Sequence, residues 1–222
     1  MRYLDLLTAL FATVLLVSNV ASTKLVVLGP FTFDGGTLLF PLAYIFGDVL
    51  TEVYGYRKSR RVIWIGFFAL LLATLTFQAV AHLPAPPYSD SHRAGAADSH
   101  LLGHTPTIVL GSLLAYFLGE FANAYVLAKL KVRTEGRFFW LRALASTLVG
   151  QGLDTGVFLL VAFYGVFPKE VLLAVFLSNY AFKLGVEALM LPFTYAVVGF
   201  LKRAEGMDAY DRDTDFNPFR LT

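Results

Sequence analysis

An all-α, polytopic membrane protein is the fold class this sequence predicts, and three observations predict it. Of the 222 residues, 57% are hydrophobic and only 15% charged, whereas a soluble domain keeps about a quarter of its residues charged. The surplus apolar surface needs lipid as its solvent. The apolar residues also gather into runs close to the roughly 20 residues that cross a hydrocarbon core as a helix. Finally, lysine and arginine concentrate in alternate connections, which is the positive-inside pattern.

Six spans follow, at about 4–22, 37–54, 61–82, 106–128, 141–165 and 171–201. They make up a transmembrane domain of residues 1–204, and the polar, acidic stretch 205–222 reads as an irregular cytoplasmic tail. Arg2 and the apolar run after it mimic a signal peptide. Asp5 interrupts that charged start and comparable runs follow, so the segment reads as a retained first helix. The second span is the least hydrophobic, with Asp48 and Glu52 in its C-terminal half. The last is long enough to tilt, or to break near Pro192. Lipid offers the backbone no hydrogen-bond partners, so the spans are helices, and the alternating short strands of a barrel are absent from the pattern.

With the N-terminus inside, fourteen of the eighteen basic residues face the cytoplasm, three (Lys24, Arg93, Lys169) face outward and Lys183 lies within a span. Both termini are then cytoplasmic. The long loop at about 83–105 faces out and carries Asp90-Ser91-His92, Asp98-Ser99-His100 and His104. No ligand spacing there fixes a metal geometry, and a solvated loop is the expectation. The chain has no cysteine, which excludes disulfides and thiolate sites. Its net charge of +2, with no basic arm, gives no reason to expect a nucleic-acid partner.

Function is sought among ionisable residues inside the spans, because a charge at the bilayer centre costs about 2.5–3.5 kcal/mol on insertion scales. Asp48 and Glu52 are four apart and share a helical face. Glu120 with Asn123, and Gln151 with Asp154, are each three apart, and Asn179, Lys183 and Glu187 form a stripe on the last span. Asn19 adds a further amide. These faces can line one pocket, with Phe40, Tyr44 and Tyr180 among the aromatics for its walls. Carboxylates accept hydrogen bonds only, so they suit a planar ligand with adjacent N–H donors, such as the edge of a guanine. Other readings stay open. Lys183 and Glu187 at i,i+4 can form an internal ion pair. Asp48 and Glu52 can reach interfacial water or the Arg57–Arg61 cluster, and Glu120 and Asp154 can serve as interhelical hydrogen bonds.

Enzymatic motifs are missing. There is no H-E-x-x-H, no G-x-S-x-G and no G-x-x-x-x-G-K-[ST]. Two carboxylates four apart on one helix do not build an aspartyl dyad, which needs two approaching aspartates. No catalytic residue, metal or cofactor is expected.

Several segments together resemble the queuosine precursor transporter family, also described as vitamin-uptake-like. They are Ser18-Asn19 with Lys24 beyond, FPLAYIFGDVLTEVYGYRKSRRVIWIGF (40–67), GSLLAYFLGEFANAYVLAKLK (111–131) and LRALASTLVGQGLDTGVF (141–158). The region of Lys183, Glu187 and Pro192 and the closing FNPF (216–219) complete the series. The resemblance implies a six-helix inner-membrane protein, similar to the substrate-binding subunits of energy-coupling-factor transporters. It implies import of 7-cyano-7-deazaguanine or its aminomethyl relative for tRNA modification. The matching positions are Asn19, Asp48, Glu52, Glu120, Asn123, Gln151, Asp154, Lys183 and Glu187. The alternative is a binding subunit for a vitamin-like heterocycle that borrows a separate ATPase. The expected partners are the deazapurine and the lipid bilayer, and a homo-oligomer stays open.

Overall fold

The computed structural model describes residues 1–22, 25–28, 31–83 and 106–220, and helices dominate them. In chain order these are α1 (Leu4–Ala21), α2 (Phe40–Tyr54), α3 (Tyr56–Ala81), α4 (Pro106–Arg133), α5 (Phe139–Phe163) and α6 (Lys169–Glu205). Five of the six, all but α2, are long and apolar enough to cross a membrane. The expected second span at 37–54 holds a 15-residue helix, about 22 Å long. Pro41 sits in its first turn, where a missing N–H costs nothing. Ahead of it come a 3-10 turn, Gly35–Leu38, and an antiparallel hairpin, β1 (Leu25–Leu28) with β2 (Phe31–Asp34). Sequence reading missed the hairpin, although Gly29-Pro30 between two short apolar runs is a turn signal. The outer-loop histidines His92, His100 and His104, and Lys24, lie outside the described residues.

A single residue, Gly55, separates α2 from α3. Its φ of +81° suits glycine, and a Cβ there would stand 3.1 Å from the Ala209 side chain and 3.3 Å from the Asp211 carboxylate. This elbow receives the C-terminal tail. Ala209 N–H donates to the Val53 carbonyl at 3.2 Å, and the buried Asp211 accepts from the Tyr56 N–H at 2.9 Å, capping α3. Arg60 donates to the carbonyls of Asp215 and Asn217 at 2.8 and 2.6 Å, and Trp64 to that of Pro218 at 2.8 Å. Phe216 and Phe219 pack on Tyr56 and Trp64. The tail is irregular, as its composition suggested, but it is docked along much of its length.

The two ends of the chain meet. The backbone N–H groups of Arg2 and Tyr3 donate to the Glu205 carboxylate at 3.0 and 2.7 Å, and the Tyr54 hydroxyl joins them at 2.9 Å. The start of α1 and the ends of α2 and α6 thus share one face of the bundle. α6 runs unbroken through Pro192 for 37 residues, about 55 Å, longer than the hydrocarbon core.

Helices α4 and α5 pack at backbone distance. A Cβ on Gly119 would lie 2.8 Å from that of Asp154 and 3.0 Å from the Gly150 carbonyl, and one on Gly150 would lie 2.8 Å from the Asn123 Cβ. Small residues allow this approach. It sets Glu120 and Asn123 of α4 against the face of α5 that carries Thr147, Gln151 and Asp154.

Candidate functional site

The buried polar residues of the bundle separate into two levels. The lower one lies near the shared face. Glu52 of α2 is 1% exposed and takes a bidentate pair from Arg142 of α5, at 2.6 and 3.1 Å. Lys202 of α6 reaches the same carboxylate at 2.7 Å, and Lys131 of α4 approaches it at 3.5 Å while donating to the Glu52 carbonyl at 2.6 Å. Asp208 of the tail bridges Lys131 and Lys202, the latter at 2.9 Å. Burial opposes its charge, but hydrogen bonds from both lysines outweigh that and hold the Asp208 carboxyl below its ordinary range. Arg142 also ties down the α4–α5 turn by donating to the carbonyls of Gly136 and Arg137, both at 3.1 Å.

This cluster corrects one expectation. Glu52 pairs with cations of α4, α5 and α6 rather than with the Arg57–Arg61 cluster. Arg142 and Lys131, counted among the fourteen basic residues facing the cytoplasm, are 0% and 1% exposed. Their positions at helix ends resemble ordinary membrane flanks. Nothing local in the sequence distinguishes a basic residue turned inward from one facing headgroups.

The upper level is built differently. One turn above Glu52, Asp48 is fully buried, and its Oδ1 accepts from the Asn123 amide at 2.8 Å. Among the described residues its Oδ2 has no hydrogen-bond partner, and neither do Asn123 Oδ1, Thr147 Oγ1, Gln151 Oε1 or Glu187 Oε1. Leaving a buried polar atom unsatisfied costs about 1–3 kcal/mol, and native structures hold few such atoms. Here five come from four helices. Glu187 of α6 and Glu120 of α4 lie within electrostatic reach of Asp48. The carboxylate of Glu120 stands 3.1 Å from where a Cβ of Gly47 would be, so the missing side chain makes room for it. Tyr44, 2% exposed, is in electrostatic reach of Asp154, Glu120 and Asp48.

Asp154 accepts from the Lys183 ammonium at 3.0 Å, with the Thr155 hydroxyl at 3.4 Å from the same nitrogen. The stripe on α6 therefore pairs across to α5. The Asn179 amide turns back to the Val175 carbonyl of its own helix at 3.1 Å. The Tyr180 ring stacks on Phe176 at 5.4 Å and its hydroxyl donates to the Leu148 carbonyl at 2.8 Å, so it lies against α5. Asn19 is partly buried near the far end of α1. That is about 24 Å along the helix from Tyr3, well beyond the level of Asp48. The Phe40 side chain lies outside the described residues. Thr147 was missed by sequence reading. Its spacing of four to Gln151 is the signal that puts it on the same face.

The chemistry of the upper level is that of an acceptor. Four of its five unpartnered atoms are carboxylate or amide oxygens, which only accept, and the fifth is a hydroxyl. Such a lining has the capacity to accept several hydrogen bonds at once.

Comparisons with known proteins find a matching family and three named relatives. The family described as “Putative vitamin uptake transporter” matches residues 34–197. The “Probable queuosine precursor transporter” of Bacillus subtilis (strain 168) is 36% identical over 84% of this chain and 80% of its own length. The “Queuosine precursor transporter” of Escherichia coli (strain K12) is 27% identical over 73% of this chain and 71% of its own. That of Haemophilus influenzae, also named “Probable”, is 26% identical over 73% and 67%. No solved structure matches. With five apolar membrane-length helices and relatives named as transporters, the chain is a multi-pass inner-membrane transporter and not an enzyme. It belongs to the vitamin uptake transporter family, in the branch of the queuosine precursor transporters.

Proposed function

We propose that this transporter imports queuosine precursors, 7-cyano-7-deazaguanine or its aminomethyl relative, to supply tRNA modification. The single observation that carries the reading is the set of unpartnered buried oxygens on α2, α4, α5 and α6. A deazaguanine carries a ring N–H and an exocyclic amine side by side, the donor edge that such oxygens lack. Asp48 and Glu187 accept from that edge. Asn123 positions Asp48 through its amide and, with Gln151, offers further acceptors. Tyr44 supplies an aromatic wall, and Glu120, Asp154 and Lys183 stand at the next level up. Glu52 serves the site from below by holding the four helices together. A role at the site for Asn19 rests on the family resemblance, and roles for Phe40 and Tyr180 rest on the sequence reading of aromatic walls.

In this reading all six helices, α2 included, form the transmembrane unit, and the face shared by both termini is cytoplasmic. Its support is the density of basic residues there, from Arg57 to Arg61, Lys129 to Arg142, and Lys202 with Arg203.

The test is binding to the purified chain in detergent. A thermal shift is expected with the two deazaguanines and guanine. None is expected with xanthine, whose 2-oxo group replaces the exocyclic donor by an acceptor. An equal shift with xanthine, or none with any base, refutes the reading. Expressing this gene alone in a strain lacking uptake separates a solitary carrier from a subunit that needs an ATPase. Rescue without an added module supports the former.

A further inference from the structure

We propose that the upper level takes up at least one monovalent cation, a proton or a sodium ion, with each cargo molecule, so that the membrane potential drives import. This rests on the transport reading above and adds its energy source. The argument is a count of charges. Four carboxyls are buried on α2, α4, α5 and α6: Asp48, Glu120, Asp154 and Glu187, none more than 7% exposed. Glu187 and Glu120 are in electrostatic reach of Asp48, and Asp154 is in reach of Glu120. One ammonium, Lys183, stands among them, on Asp154. The other buried cations, Lys131, Arg142 and Lys202, are engaged below with Glu52 and Asp208.

Among the described residues, the surroundings of Asp48 offer no compensating cation. Glu187 faces it from α6, Glu120 and Asn123 from α4, and Glu52 lies one turn along α2. Among the described residues no basic side chain pairs with Asp48, Glu120 or Glu187. Full ionisation would leave three negative charges unbalanced in a water-poor interior, where each unpaired charge costs several kcal/mol. The neutral cyano base brings donors but no formal charge, so it cannot balance them.

A second, independent feature points to a cation. Asn123, Thr147 and Gln151, each no more than 2% exposed, present neutral oxygens without partners beside these acids. Neutral oxygens with a carboxylate are what a sodium ion coordinates, while a carboxylate alone suffices for a proton. A divalent ion fits less well, because among the described residues no three acids or histidines cluster closely enough to hold a metal.

The experiment uses the full chain in liposomes with labelled 7-cyano-7-deazaguanine. Counterflow, the exchange of labelled for trapped unlabelled base, reports transport without any driving force. A potassium diffusion potential of about 100 mV, inside negative, should then drive roughly fifty-fold net accumulation for one charge per cargo. Removing sodium abolishes this if the ion is sodium, and a protonophore abolishes it if the ion is a proton. Glu187→Gln and, separately, Glu120→Gln are each measured as accumulation divided by counterflow rate, and at least one should lower that ratio several-fold. Normal wild-type counterflow with no response to potential overturns the proposal and leaves the transport reading standing. Unchanged ratios in both variants also overturn it. Absence of wild-type counterflow refutes the transport reading, and this proposal with it.

Discussion

Glu52 and Asp48 are one helical turn apart on α2 and equally buried, yet the protein treats them in opposite ways. Glu52 is surrounded by Arg142, Lys131 and Lys202, with Asp208 closing the network. Among the described residues, Asp48 has one amide on one oxygen and nothing on the other. A buried acid whose partners are complete holds helices together, because any ligand would have to displace those partners. A buried acid left incomplete retains unsatisfied capacity that a ligand can fill. Satisfaction of the buried group, rather than its burial or its charge, separates framework from proposed site here.

The largest effect expected from this contrast is at the lower cluster. Arg142→Ala strips the bidentate partner from Glu52 and should destabilise the protein by about 3–5 kcal/mol, read as thermal unfolding in detergent. An unchanged midpoint would break the comparison. Next comes Asp48→Asn, which should cut uptake of the deazaguanine at least about ten-fold while changing stability by less than about 1 kcal/mol, since it relieves an unpartnered charge. Transport assayed at equal membrane abundance, alongside the unfolding midpoint, checks both halves. Glu52→Gln sharpens the contrast. It should lower stability and uptake together, whereas Asp48→Asn should lower uptake alone.

Smaller effects are expected where the tail meets the bundle. Asp211→Ala removes the cap on the Tyr56 N–H and should cost about 1 kcal/mol, with faster proteolysis of the tail as a second readout. Asp208→Asn should cost below about 1 kcal/mol, since that side chain is 41% exposed and solvent screens it. Its pH dependence has a definite sign. Bound to the two lysines, the Asp208 carboxyl sits below its ordinary value. Its contribution is therefore complete above the ordinary carboxylate range and fades as pH falls through the lowered value. The unfolding midpoints of wild type and Asp208→Asn should differ at neutral pH and converge in acid.

Much of the fold was legible because its causes are local. Apolar runs of membrane length and the spacing of acids along each helix need no partner to be read. The expected boundaries at 4–22 and 141–165 lie within two residues of α1 and α5. The short α2 was harder to see, because its apolar content resembles a span while Pro41 and Gly55 cut its length. The tail was read as polar and irregular, which it is. Its docking depends on Asp211, Asp215 and Asn217 finding Tyr56 and Arg60 about 155 residues away.

The sequence by itself determined that the chain is a bundle of membrane helices, which family it joins and which residues are too costly in lipid to be idle. Only the tertiary structure decided which of those costs are settled inside the protein. Each acid's fate depends on what three other helices bring to its level, and helical spacing fixes a residue's face but not the face opposite. Gly119 and Gly150 let α4 and α5 close on one another. That contact, together with the pairing of α2 with α6, gives Glu52 its cations and leaves Asp48 with an open oxygen.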